Sequence, residues 1–421
     1  MPSFVSAWVI GPIVFISMLG VLTRWRAWSE TRWAVFGALA LVLTGQVSLT
    51  HAAQAIWKGH DIYLFLVGMM LMAELAKKTG VFDWLACHTV NFAKGSSLRL
   101  FMCVYGVGLV VTAFLSNDAT AVVLTPAVIA ATRAAKVENP LPHLYACALV
   151  ANAASFVLPI SNPANLVVFA DGLPDLYQWI RLFALPSLAA VMFTCLALIV
   201  HQHRYLKQPF DARPLPVPSL STGARITLCG MGAMVTGLLA ASASSFALGL
   251  PAFVLACVTA CATEFRHKGI ACDSARSISW SALPLVAGLF VLIEGLNNAG
   301  LTTLLGTWFE MLLNQSTTAA IWLSGLSTGL VSNAVNNLPA GLFAGSLLVS
   351  AQAPEAVRAA TLIGINLGPN LSVTGSLATL LWLVALRREG MNVTALQFLK
   401  MGAFTLPLAL VSSVLMVAWF N

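Results

Sequence analysis

Two short polar strings sit in the middle of long apolar segments, and they constrain this chain more than any other feature. The first is FLSNDATAVVLTP, Phe114 to Pro126, and the second is LVSNAVNNLP, Leu330 to Pro339. In lipid, an unpaired backbone amide or carbonyl costs several kcal/mol, so a polar break at mid-depth persists only where protein or a hydrated cavity satisfies it. One break in each half reads as the two sides of a single binding site. This is the pattern of a secondary transporter built on discontinuous helices.

The surroundings of the breaks fit a bilayer. Hydrophobic residues make up 59% of the 421 residues and charged residues 9%, where a soluble domain carries about 25%. Met401 to Phe420 alone is long enough to cross. The net charge of +7 sits in short loops between spans, so it sets orientation and gives no reason to expect nucleic acid. The first span lacks a basic leader and is expected to be retained as a helix. Eight scattered cysteines form no CxxC and no disulfide framework.

Taken in order, the segments predict an all-α polytopic membrane protein with about ten transmembrane helices, two re-entrant hairpins and two broken helices. Residues 1–206 form a first repeat, 207–225 a Pro-rich cytoplasmic linker, and 226–421 a second repeat. Hairpin one is placed at 101–133. Its first arm, Phe101 to Leu115, would be about 22 Å long at 1.5 Å per residue, short of a core of roughly 30 Å. Basic residues flank both of its ends, so both ends belong on one side. Hairpin two is placed at 319–350. The broken helix 144–170 carries LPISNPAN, where Pro159 and Pro163 remove backbone donors, and 362–386 carries NLGPNLSVTGS. Val81 to Ala93 and Ala299 to Leu313 are expected to lie along the surface.

Three motif pairs support the repeat: Asn117 with Asn333, offset by 216 residues, Glu74 with Glu294, offset by 220, and Ser161 with Thr374, offset by 213. With the N-terminus outside, the inner loops hold nineteen Lys and Arg, beginning with Arg24, Arg26 and Arg32. The outer loops hold three, Lys58, Arg181 and Arg358. This bias predicts inverted halves and both termini outside a bacterial inner membrane.

FLSNDATAVVLTP, LPISNPANLV, LVSNAVNNLPAGLFAGSL and GPNLSVTGSLATLLW, Gly368 to Trp382, resemble the arsenite/antimonite efflux permeases of the ion-transporter superfamily. The resemblance covers essentially the whole chain. GSLATLLW is the more specific motif, whereas Ser-Asn hairpins occur across the superfamily. It implies export of arsenite or antimonite coupled to proton entry, with a separate cytoplasmic ATPase as partner in some members. It also implies a mobile domain carrying the hairpins and broken helices. One departure is the tip SNDAT, where dicarboxylate carriers of the superfamily have Ser-Asn-Thr.

Arsenite near neutral pH is mainly an uncharged trihydroxide, and binding it needs groups that donate and accept hydrogen bonds without a compensating charge. Asn amides and Ser/Thr hydroxyls supply that mixture. The candidates are Ser116, Asn117, Thr120, Ser161, Asn162 and Asn165 in the first half. The second half offers Ser332, Asn333, Asn336, Asn337, Asn370, Thr374 and Ser376. The plainer reading of any one is a helix cap or a partner for freed backbone.

Asp118 is the only carboxylate at a hairpin tip, and an intramembrane acid is a functional candidate by default. It is the expected proton-coupling group; the alternative is a cap bonded to the backbone of Thr120 or Ala121. Glu74 and Glu294 suggest structural roles by their symmetry. Cys257 and Cys261, one helical turn apart, can in principle chelate As(III), but core packing is the default. No cofactor or metal site is expected. A sodium/proton antiporter or organic-anion carrier of the same fold stays open. A membrane-embedded enzyme is disfavoured by the absence of HExxH, GxSxG or a paired intramembrane Asp set.

Overall fold

A computed structural model describes residues 4–23, 28–211 and 213–420; Arg24 and Arg26 lie outside the described residues. The described chain is helical throughout. Its first half runs α1 (Phe4–Thr23), α2 (Glu30–Leu43), α3 (Leu49–Lys58), α4 (His60–Lys78), α5 (Val81–Ala93), α6 (Ser97–Leu115) and the short α7 (Asn117–Ala119). A π-helical stretch, Thr120–Leu124, then leads to α8 (Thr125–Ala134), α9 (Leu141–Ala153), a 3-10 turn Pro159–Ser161, α10 (Pro163–Val168) and α11 (Leu176–Leu206). The second half runs α12 (Thr222–Ala243), α13 (Gly249–Glu264), α14 (Ile270–Ser277), α15 (Ala282–Asn298), α16 (Leu301–Gln315), α17 (Thr317–Val335), α18 (Asn337–Ser350) and α19 (Glu355–Leu367). A 3-10 turn Gly368–Asn370, α20 (Leu377–Arg388) and α21 (Ala395–Phe420) complete it.

Each element of the first half has a counterpart in the second, and packing respects the exchange. Helix α4 lies against α13 as α15 lies against α2; α14 lies against α4 as α3 lies against α15; α10 packs on α18 as α20 packs on α7 and the π-helical stretch. The long helices α11 and α21 are counterparts and pack on each other. Five crossing elements per half, counting the broken helix as one, make the repeats inverted.

The structure revises the register of the repeat. Arms α6 and α17 are both 19 residues long, and the breaks fall at Ser116 and Asn336, 220 residues apart, the same offset as Glu74 and Glu294. Asn117 therefore matches Asn337, while Asn333 is still inside α17. Around the broken helices the offset is 214, so Asn162 matches Ser376 as the two N-caps. The linker is shorter than expected, because Ser221 caps α12 at Thr222.

The length argument for hairpin one also needs correcting. Capped by Ser96, α6 begins at Ser97, four residues before Phe101, so the arm is about 28 Å long at 1.5 Å per residue and could cross. What makes it a hairpin is the fold-back: the Thr112 and Thr120 hydroxyls meet at 2.8 Å, and α5 packs on both α6 and α8. Surface helix α16 likewise packs on both α17 and α18.

By length and apolar character alone, five stretches among the described residues could span a bilayer, or six if the bent pair α3–α4 counts as one. Crossings by the shorter α2, α13 and the broken helices rest on breaks and surface helices that no length test counts. Trp8, Leu43 and Phe265 are 75%, 85% and 87% exposed, as lipid-facing side chains are. Loop contacts sort into two ends. At one end, Arg133 pairs with Glu389 at 2.9 Å, Ser97 donates to the Gln208 carbonyl and Thr31 donates to the Ser281 carbonyl. At the other, Asp61 accepts from the Gly249 amide and Asn298 donates to the Gln46 carbonyl.

Candidate functional site

The two hairpin breaks are made by one backbone device. Ser116 has φ 130° and Asn336 has φ 68°, a left-handed excursion that stops one helix and starts the next. The new helix has orphan amides, and the break residue caps them itself: the Ser116 hydroxyl accepts from the Ala119 amide at 3.4 Å, and Asn336 Oδ1 accepts from the Leu338 amide at 3.3 Å. Because Ser116 does this work, Asp118 does not. Asp118 is half-buried and has no hydrogen bond or ion pair to any described residue, so the alternative of a cap on Thr120 or Ala121 is not what forms.

The tips meet. A cavity of about 30 Å³ is walled by Asn117 and Asp118 from tip one, Asn336 and Asn337 from tip two, and Asn162 from the first broken helix. That volume holds about two waters, so the tips are nearly closed on each other. Asn117 Oδ1 is buried without a partner, and the Asn337 side chain makes no hydrogen bond to a described residue. Apolar walls come from Leu66, Met70, Leu338 and Leu377, and Glu30 reaches the same space. No Lys or Arg among the described residues lines it. Ser116 lines a neighbouring cavity of about 50 Å³ that Asp118 also faces.

The remaining candidates are engaged by protein. Thr120 bonds Thr112. Ser161 donates to the Ala113 carbonyl at 2.9 Å. Ser332 donates to the Gly329 carbonyl, as does the Asn333 amide at 2.9 Å, leaving Asn333 Oδ1 buried and unpaired. Asn165 donates into the broken segment, to the carbonyls of Ser155, Leu158 and Pro159. Asn370 accepts from Asn152 at 2.9 Å and donates to the Leu149 carbonyl. Ser376 caps α20 through the Thr379 amide. Thr374 is exposed.

Two residues outside the candidate set tie this network together. Asn366 accepts from Asn162 at 2.6 Å and donates to Asn165 at 3.0 Å. Its counterpart Asn152 accepts from Ser376 at 3.3 Å and donates to Thr379 at 3.4 Å. Each broken helix is thus held by an asparagine of the other half, and the two sets of bonds exchange under the 214-residue offset. That offset is the signal in the sequence that finds them. The GSLATLLW motif also has a structural part: Trp382 is fully buried and donates its indole N–H to the Leu144 carbonyl at 2.9 Å.

The other expectations separate cleanly. Glu74 is buried and paired with Lys77 at 3.3 Å. Its counterpart Glu294 lines a larger cavity of about 360 Å³ with Lys58, Asp171 and Ser346 at the opposite end of the bundle. Cys257 is half-buried and Cys261 exposed on α13, and neither lines a cavity named above. Among the described residues, no cluster of His, Cys, Asp and Glu is arranged to hold a metal ion.

Two hairpin tips and two broken helices converging on one small cavity, apolar-walled with a few amides and acids, define a membrane transporter with discontinuous helices. A family model described as Citrate transporter (CitMHS) matches residues 18–385, and the chain belongs to that family. It is similar to the arsenical pump membrane protein of Escherichia coli (strain K12), with 28% identity over 415 residues, 93% of this chain and 94% of that one. The protein of the same name from Yersinia enterocolitica is 28% identical over 358 residues, 82% and 83% of the two chains. The solved YdaH transporter of Alcanivorax borkumensis, described as having an unusual topology, shares the fold. Its TM-score is 0.56 at 13% identity, over 99% of this chain and 98% of that one.

Proposed function

We propose that the protein exports arsenite or antimonite, bound as the neutral trihydroxide, in exchange for protons. The hairpins and broken helices move as one body to give alternating access, and Asp118 carries the coupled proton. In this reading the protein sits in a bacterial inner membrane with both termini outside, and a cytoplasmic ATPase is an optional partner. The observation that carries it is the composition of the cavity between the tips: amides, the unpartnered carboxylate of Asp118 and, among the described residues, no cationic side chain. Free amides can hold three hydroxyl groups that both donate and accept. An unpaired acid beside them can take up a proton when substrate leaves.

The family's description raises a second reading, a citrate or other organic-anion carrier. A polyanion entering this cavity would meet the carboxylate of Asp118 with no Lys or Arg from the described residues lining the space to offset it. Like charges disfavour that occupancy. The names of the relatives from Escherichia coli and Yersinia enterocolitica favour the arsenical reading.

Inverted vesicles carrying wild type or Asp118→Asn, with an imposed proton gradient, test the proposal. Wild type accumulates arsenite and moves protons with it; Asp118→Asn does neither. Accumulation by the variant against a gradient removes Asp118 from the coupling role. A wild type that ignores arsenite but responds to citrate or sodium moves the function to the alternative readings.

A further inference from the structure

The cavity beside tip one holds a second acid that the transport reading does not use. Glu74 and Asp118 both face the space of about 50 Å³ between α4, hairpin one and the α14–α15 loop. Among the described residues they are its only titratable groups, and no Lys, Arg, His or Cys lines it. Glu74 is 8% exposed. Its Oε1 accepts from Lys77 at 3.3 Å, while its Oε2 is buried with no partner. A buried carboxylate oxygen left without a donor costs free energy, so its retention in this position calls for a use. The space is large enough for several waters.

Symmetry sharpens the point. Glu294 occupies the equivalent position in the second half, but tip two has Leu338 where tip one has Asp118, and the cavity of Glu294 carries Lys58 beside Asp171. Among the described residues, an acid pair joining a hairpin tip to a cavity without a cation exists on one side only. That side leads to Ser277 and Ser279, in the stretch whose Ser281 carbonyl accepts from Thr31, at the end of the bundle that carries the linker and Lys77.

We infer that Glu74 is a proton relay between Asp118 and the linker end of the protein, the cytoplasm in the proposed orientation. The Asp118 O–H bond breaks and its proton passes through water in the cavity to Glu74 Oε2, where a new O–H bond forms. Asp118 is left ionised and Glu74 neutral. Glu74 then gives the proton to water at the Lys77 end and recovers its charge. The relay rests on the proposed role of Asp118, and it makes proton exit a separate step from substrate binding. Glu30 touches the tip cavity from another wall and is the competing exit.

The test uses the full chain in proteoliposomes with arsenite, reading arsenite-linked proton movement and, separately, exchange of labelled for unlabelled arsenite. Exchange returns the loaded carrier without discharging a proton. Glu74→Gln should slow proton-linked transport roughly tenfold or more, the low end of what a positioned proton-transfer group contributes, and leave exchange within about twofold. Glu74→Asp should restore part of the rate, and Glu294→Gln should match wild type. Normal proton-linked rates in Glu74→Gln overturn the relay, as does the same selective loss in Glu30→Gln but not in Glu74→Gln. Equal loss of transport and exchange in both Glu74 variants makes Glu74 structural and also overturns it. If wild type shows no arsenite-linked proton movement, the coupling reading itself falls, and the relay with it.

Discussion

Hairpins one and two share arm length and break position but not chemistry. Both first arms are 19 residues long, and both breaks use one non-glycine residue at positive φ that caps the helix it starts. The residues after the breaks then diverge: Asn117-Asp118 in one tip and Asn337-Leu338 in the other. Lipid imposes the shared part, since any break must satisfy its own amides. Nothing imposes a second tip carboxylate. A second tip acid facing Asp118 across a cavity of about 30 Å³ that Glu30 also reaches would make each harder to ionise. The hairpin geometry is duplicated and the tip charge is not.

The largest expected effect comes from moving that charge. Asp118→Leu makes tip one resemble tip two and should abolish proton-linked accumulation. Combining it with Leu338→Asp keeps one tip acid in the cavity but places it away from Glu74 and the 50 Å³ space beside tip one. The double variant should still fail in a vesicle uptake assay. Recovery of uptake would mean that either tip can carry the proton and that the asymmetry has no role in coupling.

The arms also differ in how closely they pack on their broken helices. A Cβ added at Gly364 would lie 2.3 Å from the Gly325 carbonyl oxygen and 2.8 Å from the Gly329 nitrogen. These are backbone atoms of α17, which cannot swing aside. The equivalent residue of the first half is Val150, whose Cγ1 fills the space above Gly108. Gly364→Ala should therefore cost about 1–3 kcal/mol, as overpacking does, read as a lower melting temperature in detergent. Gly106 meets nothing within 4 Å, so Gly106→Ala should be neutral or stabilise by up to about 1 kcal/mol through helix propensity. Similar behaviour of the two variants would mean that α17 and α19 can separate at little cost.

Hydrophobic runs and polar breaks announce a fold of this kind, and both breaks lie inside the two strings Phe114 to Pro126 and Leu330 to Pro339. The register inside each string was not legible. Asn333 and Asn336 both follow a helical apolar run, and only the backbone shows which of them leaves the helix. Sidedness pairs such as Arg133 with Glu389 follow from loop charge without fixing contacts. The cavity set was legible as residue types only. Ser161, Asn165, Asn370 and Ser376 belong to the same class as Asn117 and Asn337, yet their hydrogen bonds are spent on the broken helices and the first arm of hairpin one. Asn152 and Asn366 carry no signal of their own because each is the penultimate residue of a helix in an apolar run, and the sequence does not mark where α9 and α19 end. What separates a binding amide from a structural one is whether its partners are already present, and that is a property of packing.

The smallest effect expected is at the two cysteines, and it bears on the same comparison. A soft dithiolate site would place arsenic recognition on α13, outside the paired tips, and the hairpin asymmetry would then say little about substrate. Cys261 is exposed and Cys257 half-buried, and a thiol binds metalloid as the thiolate. Neither residue lines the tip cavity or the space beside Glu74. Cys257→Ala with Cys261→Ala should therefore leave arsenite uptake in vesicles within about twofold of wild type, with a stability change of about 1 kcal/mol or less for a partly exposed pair. A tenfold rise in the arsenite concentration needed for half-maximal uptake would put thiols into recognition and move the binding site off the hairpin tips.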